Sequence, residues 1–135
     1  MREKITLLPA LLLMLAACGP VTSRAPIQST PAEVNDCAAV LLGSMGYQIV
    51  DDDPLLRAER SKHAAFGHQR ADYDRVTVAV TSGELRVRGE TVVMGGGAPL
   101  ASPRSRVASG GTTLTAPSRE LRTDVKRIAL ECGGS

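Results

Sequence analysis

The sequence of 135 residues predicts an α+β fold. The expected form is a two-layer sandwich, a small antiparallel sheet with an N-terminal and a C-terminal helix packed on one face. Three observations predict it. A capping box at Thr30 opens a run of apolar residues at helical spacing. Residues 74–94 alternate between apolar and polar, turn, and alternate again. A narrow apolar stripe of helical period, Leu121, Val125, Ile128 and Cys132, closes the chain.

Taken in order, the chain begins "MREKITLLPALLLMLAAC". Arg2 and Lys4 give a positive start, partly offset by Glu3. From Ile5 to Ala17 there is no charge. As a helix this stretch covers roughly 20 Å of a hydrocarbon core about 30 Å thick. A charged start, a short apolar core and small residues at its end describe an export signal rather than a membrane-spanning helix. The alternative, an uncleaved anchor, needs a longer span.

Leu15-Ala16-Ala17-Cys18-Gly19 resembles the lipobox of bacterial lipoproteins. The resemblance covers only the first ~20 residues. It implies that a diacylglyceryl group is attached to the Cys18 thiol and that residues 1–17 are cleaved as a signal peptide. Small side chains at 16 and 17 suit a narrow protease site. Several acyl chains make an anchor effectively permanent, whereas one binds marginally. In Gram-negative members of the family an aspartate after the cysteine causes retention at the inner membrane. This chain has Gly19 there, which implies the outer membrane. An ordinary secreted protein with an incidental cysteine is the alternative.

Residues 18–29 read as a lipidated flexible tether, since "GPVTSRAPIQS" holds two prolines and little periodicity. Such a tether reaches up to ~40 Å. Residues 30–135 then form a single small domain, enough chain for one core and not two. Thr30 caps the first helix, Pro31 takes its first position and Glu33 reaches back. Val34, Cys37, Ala38, Leu41, Leu42 and Met45 follow on one face, and Gly43 or Gly46 ends it. Residues 47–50 predict a short strand, Asp51-Asp52-Asp53-Pro54 a turn, and 55–61 a returning strand. From Lys62 to Asp72 the chain reads as polar and irregular.

Ser82-Gly83 suits a two-residue hairpin loop. That register pairs Val80 with Leu85, Val78 with Val87 and Val76 with Gly89. The large apolar residues then share one face, and Thr77, Ala79, Arg86 and Arg88 share the other. Residues 95–117 are rich in Gly, Ser, Ala and Pro. They predict a mobile stretch over 95–111 and a short strand at 112–115. Ser118 caps the last helix and Gly133-Gly134 ends it.

The chain has three cysteines. With Cys18 given to lipid by the resemblance, Cys37 and Cys132 remain. Both lie on buried stripes of their helices, and in an oxidising compartment they allow one pairing. A Cys37–Cys132 disulfide is expected, two separate buried thiols being the alternative.

Composition excludes some function classes. Lys plus Arg number 16 against 14 Asp plus Glu, which leaves no nucleic-acid footprint. One Phe, two Tyr and no Trp leave few platforms for stacking bases or sugars. His63 and His68, with Asp72 and Asp74 nearby, lack the spacing of a zinc motif. Asp51–Asp53 lacks the alternation of a calcium loop. The glycine clusters lack the spacing of a phosphate loop. No nucleophile or acid–base set assembles, so no catalytic residue, metal or cofactor is expected and the chain reads as a non-enzyme. Arg75, Arg86 and Arg88 form the candidate interaction surface, with Arg104 and Arg106 in the loop beyond. The expected role is a lipid-anchored cell-envelope protein that binds the membrane through its lipid and another envelope protein through a sheet edge or the arginine face. The runner-up is a periplasmic ligand- or glycan-binding module, and a hydrolase or metalloenzyme comes third.

Overall fold

A computed structural model of the chain describes residues 19–64, 71–94, 106–108 and 112–134. The leader, Cys18, His68, Arg104 and the side chain of His63 lie outside them. Among the described residues seven strands and two helices follow one another as β1 (Val21–Pro26), α1 (Pro31–Ser44), β2 (Gln48–Asp51), β3 (Leu56–Ala64), β4 (Ala71–Thr81), β5 (Glu84–Met94), β6 (Arg106–Ala108), β7 (Thr112–Thr115) and α2 (Arg119–Gly133). The fold is α+β. Six strands run in the order β2-β3-β4-β5-β7-β6, and β1 also pairs with β5. All pairings are antiparallel.

The hairpin takes the expected register, with Val80 opposite Leu85, Val78 opposite Val87 and Val76 opposite Gly89. Ser82 and Gly83 have φ of 52° and 76°, the paired positive values that match a tight turn to the sheet twist. Val76, Val78, Leu85 and Val87 are buried with Leu56 and Ala58 of β3. Val34, Ala38 and Leu42 of α1 and Leu121, Val125 and Ile128 of α2 complete the same core.

Thr30 closes the capping box on α1: the Glu33 amide donates to its Oγ1 at 3.3 Å, and its own amide donates to Glu33 Oε2 at 2.8 Å. This holds the Glu33 pKa below its ordinary value. The helix ends at Ser44, and Gly46 takes a φ of 84°, so Gly46 rather than Gly43 supplies the left-handed turn. Ser118 caps α2 by accepting from the Leu121 amide at 3.1 Å.

The expected tether is the main correction. Residues 21–26 form a strand, with Val21 opposite Gly89 and Pro26 opposite Glu84. Val21, Ser23 and Ala25 are half-buried while Thr22, Arg24 and Pro26 are exposed. That is a period-2 alternation carried by small residues, too weak to stand out beside the prolines. Pro26 is tolerated because it sits at the strand's end on a sheet edge. Two further stretches differ. The backbone from Lys62 to Ala64 and from Ala71 to Tyr73 is strand, across a register shift between Ser61 and His63. Within 95–111, residues 106–108 form β6, paired with the expected strand at 112–115.

Candidate functional site

Four features bear on function: a buried charge cluster, the outward sheet face, the free edge of β2 and the cystine.

The cluster is centred on Arg60. Strand β3 brings it inward in phase with Leu56 and Ala58. Its Nη1 donates to the Met45 carbonyl at 2.9 Å and its Nη2 to Asp124 Oδ2 at 2.9 Å. Asp74 Oδ2 lies at 3.4 Å and Glu120 Oε1 at 3.4 Å. The guanidinium stacks over the Tyr47 ring, 4.3 Å from its centroid. Burial alone lowers the Arg60 pKa, but Tyr47, Asp124 and Glu120 outweigh it and hold it above the ordinary value. The Tyr47 hydroxyl donates to Asp124 Oδ2 at 2.9 Å. Burial first, and Asp124 second, push its pKa far upward. The side chain of Asp74 is 0% exposed, accepts from Thr91 Oγ1 at 2.7 Å and meets Lys62 Nζ at 3.3 Å.

These groups engage one another. Arg60 joins a carbonyl of the α1 exit, a carboxylate of α2 and a carboxylate of β4. Chemically the cluster is a clasp between sheet and helices. A cavity of about 520 Å³ adjoins it, lined in part by Lys62, Asp72, Thr91 and Glu120. The Oδ1 of Asp72 is itself buried and has no hydrogen-bond partner among the described residues.

Arg75, Arg86 and Arg88 share the outward face of β4 and β5, together with Arg24 of β1. Arg75 is well held: its Nε donates to Glu59 Oε1 at 2.9 Å, its Nη2 to the Tyr73 hydroxyl at 2.8 Å, and Glu90 lies at 3.6 Å. Burial raises the Tyr73 pKa despite the neighbouring Arg75. Arg86 and Arg88 are 53% exposed, and their carboxylates lie at 3.6 and 3.4 Å. Of the three, Arg86 and Arg88 are therefore free to bind outward, and Arg75 is largely committed within the sheet.

Among the described residues strand β2 borders the sheet, and all four of its residues are exposed. Ile49, Val50 and the following Leu55 are 42%, 52% and 38% exposed. Asp51, Asp52 and Asp53 form the adjoining turn, in which the Asp53 amide donates to Asp51 Oδ1 at 3.3 Å.

Cys37 and Cys132 are joined by a disulfide, with Cα atoms 5.7 Å apart. Among the described residues no group of three or more His, Cys, Asp or Glu is placed to hold a metal ion. No described helix is long and apolar enough to cross a membrane.

The Arg60 cluster is absent from the sequence-based site. A signal for it exists: Arg60, Asp74 and Asp124 occupy inward phases of β3, β4 and α2, where opposite charges have reason to meet. No protein-family model matches the sequence, and no curated protein matches it either.

Proposed function

We propose that the chain is a lipid-anchored protein of the bacterial cell envelope whose domain is a non-catalytic binding module for another envelope protein. In this reading the helices form one layer and the sheet the other, and the contact is the free edge of β2. The observation that carries it is the exposure of Ile49, Val50 and Leu55 along that edge. An edge strand offers unpaired backbone groups to an extended partner segment, and alternate side chains give specificity. Asp51, Asp52 and Asp53 beside it favour a partner segment with basic residues. The mutual engagement of the buried charges supports a structural rather than an acid–base role for them. Anchoring at Cys18 and residence at the outer membrane follow from the lipobox resemblance.

Crosslinking in intact envelopes, followed by capture of the mature lipoprotein, tests the proposal. The expected result is one distinct partner, lost with Ile49→Lys. Recovery of no protein from the unaltered chain overturns the reading. Equal recovery with the variant moves the contact off this edge.

A further inference from the structure

Charge is unevenly placed across the domain. Helix α1 carries Glu33 and Asp36 and no cation, and β2 with its turn adds Asp51, Asp52 and Asp53, again with no cation. Helix α1 lies over β2, β3 and β4. The opposite side has an excess of cations, seven on β1, β5 and α2 against five carboxylates. There α2 lies over β5 and β1, close enough that a Cβ at Gly133 would meet Ala25 and one at Gly89 would meet Val125. Arg122, Lys126, Ala129 and Gly133 follow one another at helical spacing, so Arg122 and Lys126 lie on the flank of α2 nearest β1. Both are exposed.

On the other face of the same edge stands Arg24, 59% exposed, directly opposite Arg86. Like charges facing each other across two strands oppose pairing. One carboxylate, Glu84, serves both, at 3.9 and 3.6 Å. Arg88 lies two residues further along β5. Cations from both faces thus converge on the β1 edge, and the countercharge within the fold is incomplete.

The same edge carries the start of the chain. Strand β1 begins at Val21, so the Cα of Cys18 lies within ~11 Å of the Cα of Val21. The start of β1, where Thr22 faces Arg88, is thus about one screening length from the anchor at moderate salt, and Arg24 lies ~10 Å further along the strand. The proposed anchor therefore holds these cations at the lipid headgroups instead of swinging the domain on a long leash.

We infer that the β1 edge of the domain rests on the bilayer, with Arg24, Arg86, Arg88, Arg122 and Lys126 against anionic lipid phosphates and the acidic α1–β2 side turned away. The inference rests on the lipid-anchor reading proposed above. It also orients that reading, since the free edge of β2 then points into the periplasm.

The test uses the mature lipoprotein purified from membranes. Mass spectrometry of its N-terminal peptide first reports whether Cys18 is acylated. The protein is then placed in phosphatidylethanolamine vesicles with or without phosphatidylglycerol. Modification of arginines by phenylglyoxal and of lysines by an acetylating ester is followed residue by residue. With phosphatidylglycerol, labelling of Arg24, Arg122 and Lys126 is expected to fall several-fold and to recover at high salt, while Arg57 is unchanged. Equal labelling in both vesicles from an acylated chain overturns the inference and leaves the anchor standing. Protection found in native envelopes but not in pure lipid assigns the patch to an acidic protein instead and also overturns it. An unacylated Cys18 overturns the anchor and the inference together.

Discussion

Arg60 and Asp124 meet at 2.9 Å between Nη2 and Oδ2, although 64 residues separate them in sequence. The pair ties the sheet to α2, and Asp74 lies fully buried beside it. Replacing Arg60 by Leu leaves two poorly solvated carboxylates, of which Asp74 keeps Lys62 at 3.3 Å. Removing one partner of a buried pair typically costs ~3–5 kcal/mol. A large fall in the urea midpoint is expected. A fall of less than ~1 kcal/mol would place the cluster in solvent, where ion pairs contribute little.

Tyr47 couples this clasp to pH. Burial and the neighbouring Asp124 raise its pKa above the ordinary 10.0. The folded chain therefore binds the phenolic proton more tightly than the unfolded chain. The resulting stability is fully present below pH 10 and is lost as pH rises beyond it. Stability measured from pH 8 to 11 should fall steeply above about 10. Tyr47→Phe should flatten that limb, at a cost of ~1 kcal/mol at neutral pH for the lost hydrogen bond.

Two glycines should respond in opposite directions to alanine. A Cβ at Gly89 lies 2.6 Å from Val125 Cγ2 and 3.0 Å from Leu121 Cδ1, so Gly89→Ala overpacks the contact between α2 and β5. The expected loss is ~1–3 kcal/mol. Gly43, helical and exposed, has nothing within 4 Å, and Gly43→Ala should gain ~0.5–1 kcal/mol. Thermal melts of the two variants check both signs.

The cystine closes a loop of 95 residues between α1 and α2. In the chain-entropy account such a crosslink stabilises by roughly 4–5 kcal/mol. Mass spectrometry without reductant should find no free thiol at Cys37 or Cys132. Paired Cys37→Ser and Cys132→Ser substitutions should lower the urea midpoint accordingly, and an unchanged midpoint would refute the crosslink's role.

Because residues 21–26 are strand rather than tether, their amides paired with β5 should exchange slowly with deuterium. Peptides covering Val21–Pro26 should show protection that a Gly-Ser replacement of the segment removes. Exchange as fast as that of an unstructured peptide would restore the tether.

The sequence made the hairpin legible because strong alternation and a two-residue turn agreed on one register. It made α1 legible because a capping box preceded an unbroken apolar face. Strand β1 was harder to read. Its inward residues, Val21, Ser23 and Ala25, are small, and its outward ones include a proline, so the energy of its placement lies in backbone pairing that composition does not record. The Arg60 cluster was hidden for another reason. Each member looks like a solvated charge until three elements are laid over one another. The alternation of β4 and β5 puts Arg75, Arg86 and Arg88 on one face, but only the cross-strand neighbours Glu59 and Glu90 show that Arg75 is committed within the sheet.

Strand β5 has β4 on one side and shares its other side between β1 and β7. The β4–β5 pair needs closure of only a two-residue turn, and β7 follows in the next stretch of chain. Strand β1 must find its place across most of the domain, a search that grows slower with the length of intervening chain. On loop-closure cost alone the hairpin is expected to form early and β1 to join late. A force applied at the N-terminal end of this domain would be met first at this strand, and it would be resisted by the pairing with β5 together with the packing of Val21 and Ala25 against the core.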